Sequence, residues 1–509
     1  MPTASLPDRP DIEQLKGNAK SLRTLVRDGS EGAIELVRDH HPRFPGMVAG
    51  SAEAASFKLA DAQLTLARHY GYPSWPALRH HVELVNRLSR SPYEQPVGQE
   101  LANDEARADE FLRLACLNYG ADDPLRWRKA TQLLAEHPDL SKGSIHVAAA
   151  AGDVGAAKDI LEAGPEAASQ EGGPFAWEPL LYLTYSRLDL DAADTDGIEH
   201  DPLAVAGLLL QAGADPNAGY LWDGLPSPFT ALTGVFGHGE QGAPAHPNEL
   251  ALARLLLEAG AEANDSQTIY NRGAGDLGGD DTDFLELLLD FGLGQGDGGP
   301  WRRRLLDAHQ SPTEIAAEAL QHAAEAGLVN RTRLLLARGI DPDAKGTHPG
   351  YKNRSPYEGA VLHGNLEVAS LLASAGAEGT IDPLTRFIGG CMAGERAAVD
   401  DALAVDGGLL ERARVERADL VIRAAELGRP DAVRLLVELG FAVNARHRTT
   451  ALHQAALRGD LSMVILLLEL GADPAILDES YHATAKGWAE HNGQSAVVSY
   501  LDAHEATGS

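Results

Sequence analysis

The sequence predicts an all-α protein in which short pairs of helices stack into a solenoid. Three observations indicate this fold: one helix-pair unit is clear near the C-terminus, its spacing recurs along the chain, and the composition suits close packing of small side chains. Of the 509 residues, 44% are hydrophobic but only 6% are aromatic. One continuous array over most of the chain is therefore expected, rather than several globular domains.

The clearest unit extends from Thr450 to Gly471. Thr450 is a suitable N-cap for a first helix, which continues with apolar residues at helical spacing and ends at Gly459. A second helix follows Asp460 and ends at Gly471, because glycine readily adopts the left-handed conformation that terminates a helix. Helices this short do not bury both faces by themselves, so the unit requires neighbouring copies.

Copies of this unit recur along the chain. The distance from the Thr position to the terminating glycine is 21 residues, and four other segments keep it without a gap: residues 143–164, 318–339, 355–376 and 419–440. Weaker copies lie near residues 111–140, at 386–407 and from Thr484 onward. The sequence predicts about ten or eleven units in residues 109–503, with terminating glycines that include Gly213, Gly260, Gly339, Gly440 and Gly471.

The repeated unit resembles the ankyrin repeat. That family begins its first helix with Thr-Pro-Leu-His and follows its second helix with a Gly-Ala-Asp-x-Asn turn. The start appears here in residues 450–453 and 355–357, with His146 at the fourth position of another copy, and the turn appears in residues 213–217, 260–264 and 471–474. The resemblance covers roughly residues 111–503 and implies that His146 and His453 bond to the backbone of neighbouring fingers, the hairpins that join units.

A different helical segment precedes the repeats in residues 11–90. Its first helix is predicted from an apolar stripe that includes Ile12, Leu15, Ala19, Leu22, Leu25 and Val26. Ser30 can cap a second helix ending at His40, and two more helices meet at Gly71, with Ser74 as an N-cap. This segment resembles the helical leader of many actinobacterial ankyrin-repeat proteins, which implies a bacterial protein. We expect it to cap the first apolar face of the solenoid, with residues 91–108 as a linker.

The net charge and the composition of the chain indicate which partners and which cellular location to expect. The chain has 43 basic and 74 acidic residues, a formal net charge of −31, which disfavours nucleic acid and anionic membranes and favours a basic protein or peptide. An acidic surface that serves only solubility is the alternative. The two cysteines, the lack of a secretion-type N-terminus and the lack of a long apolar run together predict a cytoplasmic protein.

Insertions into the repeat pattern are concentrated in residues 177–355. Three lie between the helices of a unit, within residues 178–213, 230–260 and 268–292. Three others lengthen the fingers after Asn217, Gly292 and Ala344. Because insertions in a solenoid become surface loops, which often carry function, the centre of the array is the predicted functional region.

The leading hypothesis is a scaffold for protein interaction that binds a protein or peptide on the fingers and inner helices of the central repeats. Exposed aromatic residues on fingers are typical anchors of a binding surface, whereas Trp177, Tyr182 and Phe236 are expected in the core. The residues predicted to bind are Tyr220, Trp222, Asp223, Phe229, Tyr270, Asn271, Arg272, Trp301, Arg302, Tyr351 and Lys352. The alternative for the aromatic residues is that they pack the insertions against the solenoid.

A second hypothesis is a small-molecule pocket, with or without catalysis, enclosed by the central insertions. It is motivated by polar and aromatic residues in neighbouring central units: His238, Glu240, Tyr270, Asn271, Arg272 and Trp301. The sequence contains no catalytic motif, which disfavours an enzyme without excluding one. A regulatory inhibitor of a basic partner is a third interpretation, and the sequence does not separate it from a scaffold.

Several motifs are set aside, and neither a metal nor a cofactor is predicted. Three GxGxxG matches, at residues 237–242, 273–278 and 294–299, do not follow a strand, and each carries an acidic residue where a phosphate would bind. The acidic run in residues 189–201 lacks the first and last ligands of a calcium loop. No Cys and His residues have zinc-site spacing.

Overall fold

The computed structural model describes residues 6–7, 10–94, 101, 103–120, 122–188, 199–240, 242–274 and 279–507. Helices account for most of this part of the chain, as the sequence predicts. The chain forms two compact units, the first from residues 1–278 with 283–315 and the second from residues 279–282 with 316–509. Within the described ranges, no helix is both long enough and apolar enough to cross a membrane.

The leader consists of five helices in the first unit: α1 (Ile12–Arg27), α2 (Glu31–His40), α3 (Ala52–Ala55), α4 (Leu59–His69) and α5 (Trp75–Leu88). Helix α1 buries Leu15, Ala19, Leu22 and Val26, mainly against α4 and α2. Leu25 was predicted on the same stripe, but it is 48% exposed because it lies one position beside the buried face. The Ser74 hydroxyl accepts the Ala77 N–H at 3.3 Å, which confirms the predicted N-cap of α5.

Helix pairs follow in the first unit: α6 (Asp104–Ala115), α7 (Pro124–Glu136), α8 (Leu140–Gly143), α9 (Ile145–Ala151), α10 (Val154–Ala163), α11 (Pro179–Tyr185), α12 (Pro202–Gln211), α13 (Ala231–Phe236), α14 (Glu249–Glu258), α15 (Ser266–Ala274), α16 (Asp283–Asp290) and α17 (Gly299–Leu305). The inner helices contact one another in the order α9, α11, α13 and α15. The outer helices do the same in the order α10, α12, α14 and α16.

The array begins earlier than predicted. The Asn103 side chain accepts the Ala106 N–H at 2.8 Å and caps α6, so residues 104–108 are helical rather than linker. A 3-10 turn at Pro92–Glu94 lies in the predicted linker, and residues 95–100 and 102 of that linker are outside the described residues. Further 3-10 turns occupy Pro165–Ser169, Leu306–Ala308 and Pro349–Tyr351.

The described chain contains one three-stranded sheet, in the first unit. Its strands are β1 (Ser89–Arg90), β2 (Gly219–Trp222) and β3 (Pro228–Thr230), in that order across the sheet. Strands β2 and β3 form an antiparallel hairpin, with Tyr220 opposite Phe229. Strand β1 comes from the end of the leader and pairs in parallel with β2, placing Ser89 opposite Leu221.

The second unit contains most of α18 and the remaining helices: α18 (Pro312–Ala326), α19 (Val329–Ala337), α20 (Pro356–Leu362), α21 (Leu366–Ser374), α22 (Pro383–Ala393), α23 (Arg396–Val405), α24 (Leu409–Glu416), α25 (Leu420–Glu426), α26 (Pro430–Glu438), α27 (Ala451–Leu457), α28 (Leu461–Glu469), α29 (Ala485–His491) and α30 (Ser495–Thr507). Helices α25, α27 and α29 stack in that order. One apolar core runs through residues 387–501.

The predicted helix terminators are confirmed. Gly213, Gly260, Gly339, Gly440 and Gly471 all have φ between 83° and 101°, the left-handed region that residues with a Cβ rarely adopt. Each follows the second helix of its pair. The repeat spacing read from the sequence therefore marks real helix ends in both units.

Candidate functional site

The hairpin of β2 and β3 holds three of the six aromatic residues predicted to bind a partner, and it is buried on both faces. Tyr220 is 2% exposed and Phe229 is 5% exposed. The Tyr220 ring stacks on Trp177 with 5.0 Å between centroids and on Phe229 with 5.6 Å. The expectation that Tyr220 and Phe229 lie exposed on a finger is therefore wrong. The burial predicted for Trp177, Tyr182 and Phe236 is confirmed.

The leader covers the second face of this hairpin. Successive side chains of a strand point to opposite faces, so Tyr220 packs among the aromatic rings while Leu221 faces the leader. Leu221 is fully buried in a cluster with Leu84 and Val85 of α5 and with Trp301. We expected the leader to cap the first helix pair, whereas the contact the structure shows is with a finger in the middle of the first unit. Capping of the first pair stays a prediction.

Trp222 and Asp223 complete the contact with the segment that follows the leader. The Ser91 hydroxyl donates to Asp223 Oδ1 at 2.5 Å, and the Tyr93 hydroxyl donates to Oδ2. The Tyr93 and Trp222 rings lie 5.0 Å apart. Both predicted binding residues are thus engaged within the chain, which the sequence does not reveal because more than 120 residues separate the partners.

Trp301 and Arg302 belong to α17; Trp301 bonds to the finger that contains Asn217, and Arg302 bonds within its own segment. Trp301 is 4% exposed, and its indole N–H donates to the Asn217 carbonyl at 3.0 Å. The Arg302 guanidinium donates to the His309 carbonyl and lies 3.5 Å from Asp307. Trp301 is therefore a core residue rather than a surface anchor.

Several residues of the pocket hypothesis do contact one another in the structure. Their hydrogen bonds hold loops in place. Arg272 is 5% exposed and donates to His238 Nε2 at 2.6 Å. Asn271 is 2% exposed and donates to the Gly237 carbonyl at 3.2 Å. The Tyr270 hydroxyl donates to Glu240 at 2.7 Å on the surface. Trp301 packs in the separate cluster with Leu221, so these residues do not line one pocket.

Tyr351 and Lys352 lie in the second unit, on the lengthened finger before α20. Tyr351 is half-buried, and its ring packs over Gly346 so closely that a Cβ there would lie 2.7 Å from it. Lys352 is exposed and has a φ of 51°. Of the predicted binding residues, Lys352 and Tyr270 are the two that the structure leaves exposed.

A large cleft lies between two insertions of the first unit. It has a volume of about 680 Å³ and is bounded by the loop around Arg187, the start of α12, the loop of residues 244–248 and Trp127 of α7. Burial lowers the pKa of His246, which lines this cleft, to about 3. The sequence analysis located the two insertions but did not select these residues.

The fingers before α27 and α29 form an exposed surface in the second unit. We call the exposed residues at their tips the C-terminal finger surface: Arg446, His447, Arg448, Leu477, Tyr481 and His482. Tyr481 is 78% exposed and Leu477 is 44% exposed, so the finger before α29 presents an aromatic ring and an aliphatic side chain to solvent. The Glu479 N–H donates to the Arg448 carbonyl at 2.8 Å and holds the two tips together.

Asp478 organises the loop that presents Tyr481. Its Oδ1 accepts the N–H groups of Ser480 and Tyr481, while Oδ2 accepts the Ala483 N–H and the Trp488 indole N–H at 3.0 Å. Burial alone would raise the pKa of this carboxyl, but these hydrogen bonds hold it well below its usual range. The loop is therefore braced in one conformation before any partner arrives.

The motifs set aside from the sequence lie only partly within the described residues. In the described ranges, no group of three or more His, Cys, Asp or Glu side chains is arranged to hold a metal ion. The match at residues 294–299 leads into α17 from a turn rather than from a strand. The acidic run at 189–198 and the glycines at 275–278 are outside the described residues.

Comparison with protein families finds a match in the part of the chain that carries the C-terminal finger surface. The family model for ankyrin repeats matches residues 404–478 and 421–506. The chain therefore contains ankyrin repeats. No curated protein matches the sequence.

The ankyrin histidine has its expected role at both predicted positions. In the matched repeats, His453 Nδ1 lies 2.8 Å from the Thr450 hydroxyl and accepts the Thr450 N–H, while Nε2 donates to the Ala483 carbonyl at 3.1 Å. His146 Nε2 donates in the same way to the Gln170 carbonyl at 2.8 Å. These bonds tie each first helix to the following finger. Outside residues 404–506 the ankyrin assignment stays a prediction, and the geometry of His146 and of the helix terminators is consistent with it.

The residues of the C-terminal finger surface were not predicted from the sequence, because their fingers contain no insertion. A signal was nevertheless present in the sequence. The short fingers carry Tyr481 and Leu477 at positions that ankyrin packing does not require, among Arg446, Arg448 and His482. Tyr and Arg are the residue types enriched at the centres of protein interfaces.

Proposed function

We propose that the ankyrin repeats of the second unit bind a partner protein through the C-terminal finger surface. Ankyrin repeats generally mediate protein interaction, and the fingers of these repeats carry the most exposed aromatic residue of the unit among those described. The observation that carries the proposal is Tyr481, 78% exposed on a loop that Asp478 braces. A rigid exposed tyrosine loses little conformational freedom when it enters a partner's pocket.

The local charge favours an acidic segment of the partner. Arg446 and Arg448 are exposed beside Tyr481, with His447 and His482 nearby and Glu479 as the acidic neighbour between them. The net charge of the whole chain suggested a basic partner, but binding depends on the charges at the contact, because solvent screens those beyond about 10 Å. The finger surface presents the two guanidinium groups to solvent, whereas the Asp478 carboxylate is buried beneath the loop.

The interaction can be tested by capture from a cell extract, with the full chain immobilised as wild type, Tyr481→Ala or Val415→Ala. Val415 is 75% exposed at the end of α24 and is a matched apolar control outside the finger surface. We expect a partner retained by wild type and by the control, with a dissociation constant raised about 30-fold or more by Tyr481→Ala, as for a loss of about 2 kcal/mol.

The charge of the partner is tested in the same assay. Arg446→Ala with Arg448→Ala is expected to weaken capture chiefly at low salt, because screening already reduces the contribution of exposed charges at high salt. A partner that binds Tyr481→Ala as tightly as wild type would show that the contact lies elsewhere. A partner that loses affinity with Tyr481→Ala, but not with the arginine variant, would retain the surface and remove the acidic segment.

A further inference from the structure

The cleft between the insertions in residues 178–213 and 230–260 has the size and the chemistry of a ligand site. Its volume of about 680 Å³ lies within the range of about 300–1,000 Å³ found for small-molecule pockets. One wall is apolar and rigid, formed by Leu203 and by Pro202, Pro244 and Pro247. Proline lacks a backbone N–H, so this wall presents few groups that compete for a ligand's polar atoms.

A buried cation lies beside this cleft. Within the described residues it forms no salt bridge, although the charge of the Asp122 carboxylate acts on it. Arg187 is 5% exposed and lines the cleft. Its guanidinium donates to four backbone carbonyls, those of Thr184, Ser186, Gly234 and Pro244. Burial lowers the pKa of Arg187 to about 10, which leaves it protonated at neutral pH. Carbonyls hold the side chain in place but do not neutralise its charge.

Two hydrogen-bond donors at the cleft have no acceptor in the described chain. The indole N–H of Trp127 is buried and unpartnered. His246 is 5% exposed, and its Nδ1 accepts the Asn248 N–H at 3.0 Å. The neutral ring therefore carries its proton on Nε2, for which the described chain provides no partner. A buried donor left unpaired destabilises the fold, so an acceptor that reaches the Trp127 indole N–H removes that cost.

The acidic group at the cleft is already occupied. Asp201 Oδ1 accepts the Ala204 N–H at 3.0 Å and caps α12, where the positive end of the helix dipole offsets its charge. The described residues of the cleft thus combine a buried cation, the N–H groups of Trp127 and His246, and an apolar wall. A cationic or purely apolar ligand would leave the donors unpaired.

We infer that this cleft binds a small organic anion, with an oxygen-rich acidic head directed to Trp127, His246 and Arg187 and an apolar body against Leu203 and the prolines. The site is separate from the C-terminal finger surface and does not depend on it. It also uses none of the residues that the sequence suggested for a pocket.

Two fluorescent probes of nearly the same shape test this inference on the full chain. The first is 8-anilinonaphthalene-1-sulfonate, and the second is N-phenyl-1-naphthylamine, which lacks the sulfonate. We expect the sulfonate to bind at a single saturable site about tenfold or more tighter than the amine, as charged hydrogen bonds predict. No saturable binding of the sulfonate, or equal affinity for the two probes, would overturn the inference.

Variants locate the probe. Trp127→Phe removes the donor but keeps an aromatic ring, and we expect it to weaken sulfonate binding about tenfold without changing binding of the amine. Trp75→Phe, in the leader, is the matched control and is expected to change neither. Leu203→Glu places a carboxylate on the apolar wall, and it should weaken the sulfonate at least tenfold. Leu250→Glu, on the partly exposed face of α14, is its control.

Circular dichroism of each variant distinguishes loss of the site from loss of the fold. If sulfonate binding survives both Trp127→Phe and Leu203→Glu in folded protein, the anion binds elsewhere and the inference fails. If Trp127→Phe unfolds the first unit, Leu203→Glu and its control decide the question.

Discussion

Replacing Tyr220 with alanine tests whether this residue is part of the core or an anchor on the surface, because the two roles predict different losses in the free energy of unfolding. A surface anchor can be truncated with a change of no more than about 0.5 kcal/mol in the free energy of unfolding. Tyr220, however, is 2% exposed and lies with its ring centroid 5.0 Å from Trp177, 5.6 Å from Phe229 and 6.0 Å from Tyr185. Truncation of such a buried aromatic residue costs about 3–5 kcal/mol, partly through the cavity it leaves.

The loss should be measured locally, because a stacked array unfolds in parts. We expect hydrogen exchange of the amides in residues 219–230 to accelerate by a factor between about 10² and about 4 × 10³, since each 1.4 kcal/mol corresponds to a factor of ten. Leu225→Ala is the control, because Leu225 is 40% exposed at the tip of the same hairpin. A cost below about 1 kcal/mol for Tyr220→Ala, or an effect equal to that of the control, would refute the packing argument.

Three further predictions follow from buried groups and from the leader. Burial lowers the pKa of His246 from 6.5 to about 3, so the unfolded chain binds the proton first and stability falls as pH decreases from 6.5 toward 3. Urea titrations should show a shallower fall for His246→Gln, and an unchanged slope would be evidence against this origin. Burial raises the pKa of both thiols, that of Cys391 to about 12. A thiol reagent should therefore label Cys116 and Cys391 only after unfolding, and labelling of the native chain would contradict this prediction. Asp223→Ala should speed proteolytic cleavage in residues 89–94, and an unchanged rate would indicate that the β1–β2 pairing alone holds this segment.

Local features were predictable from the sequence because they depend on neighbouring residues. Helix caps such as Ser74 and Thr450, and the terminating glycines, act over a few residues and were recognised from their spacing. The pairing of His453 with a finger carbonyl followed from the ankyrin resemblance. The one error on the first helix, Leu25, came from a stripe one position too wide.

The candidate sites were not predictable in the same way, because each depends on segments far apart in the chain. Phe229 and Tyr220 appear as finger aromatics in the sequence, yet Leu84 and Val85 of the leader help to cover their hairpin. Trp127 and His246 are more than 100 residues apart and meet at one cleft. Neither pairing leaves a periodic pattern in the sequence.

The sequence by itself determined the repeated helix pairs, their ends and the concentration of insertions, because backbone conformation and apolar periodicity are set by local residue types. Only the tertiary structure decided which faces remained in contact with solvent. Helix α5 covers one face of the central hairpin, whereas Tyr481 stays exposed on the Asp478 loop. The reason is physical: burial is a property of pairs of surfaces, and the second surface of each pair lies in a distant part of the chain.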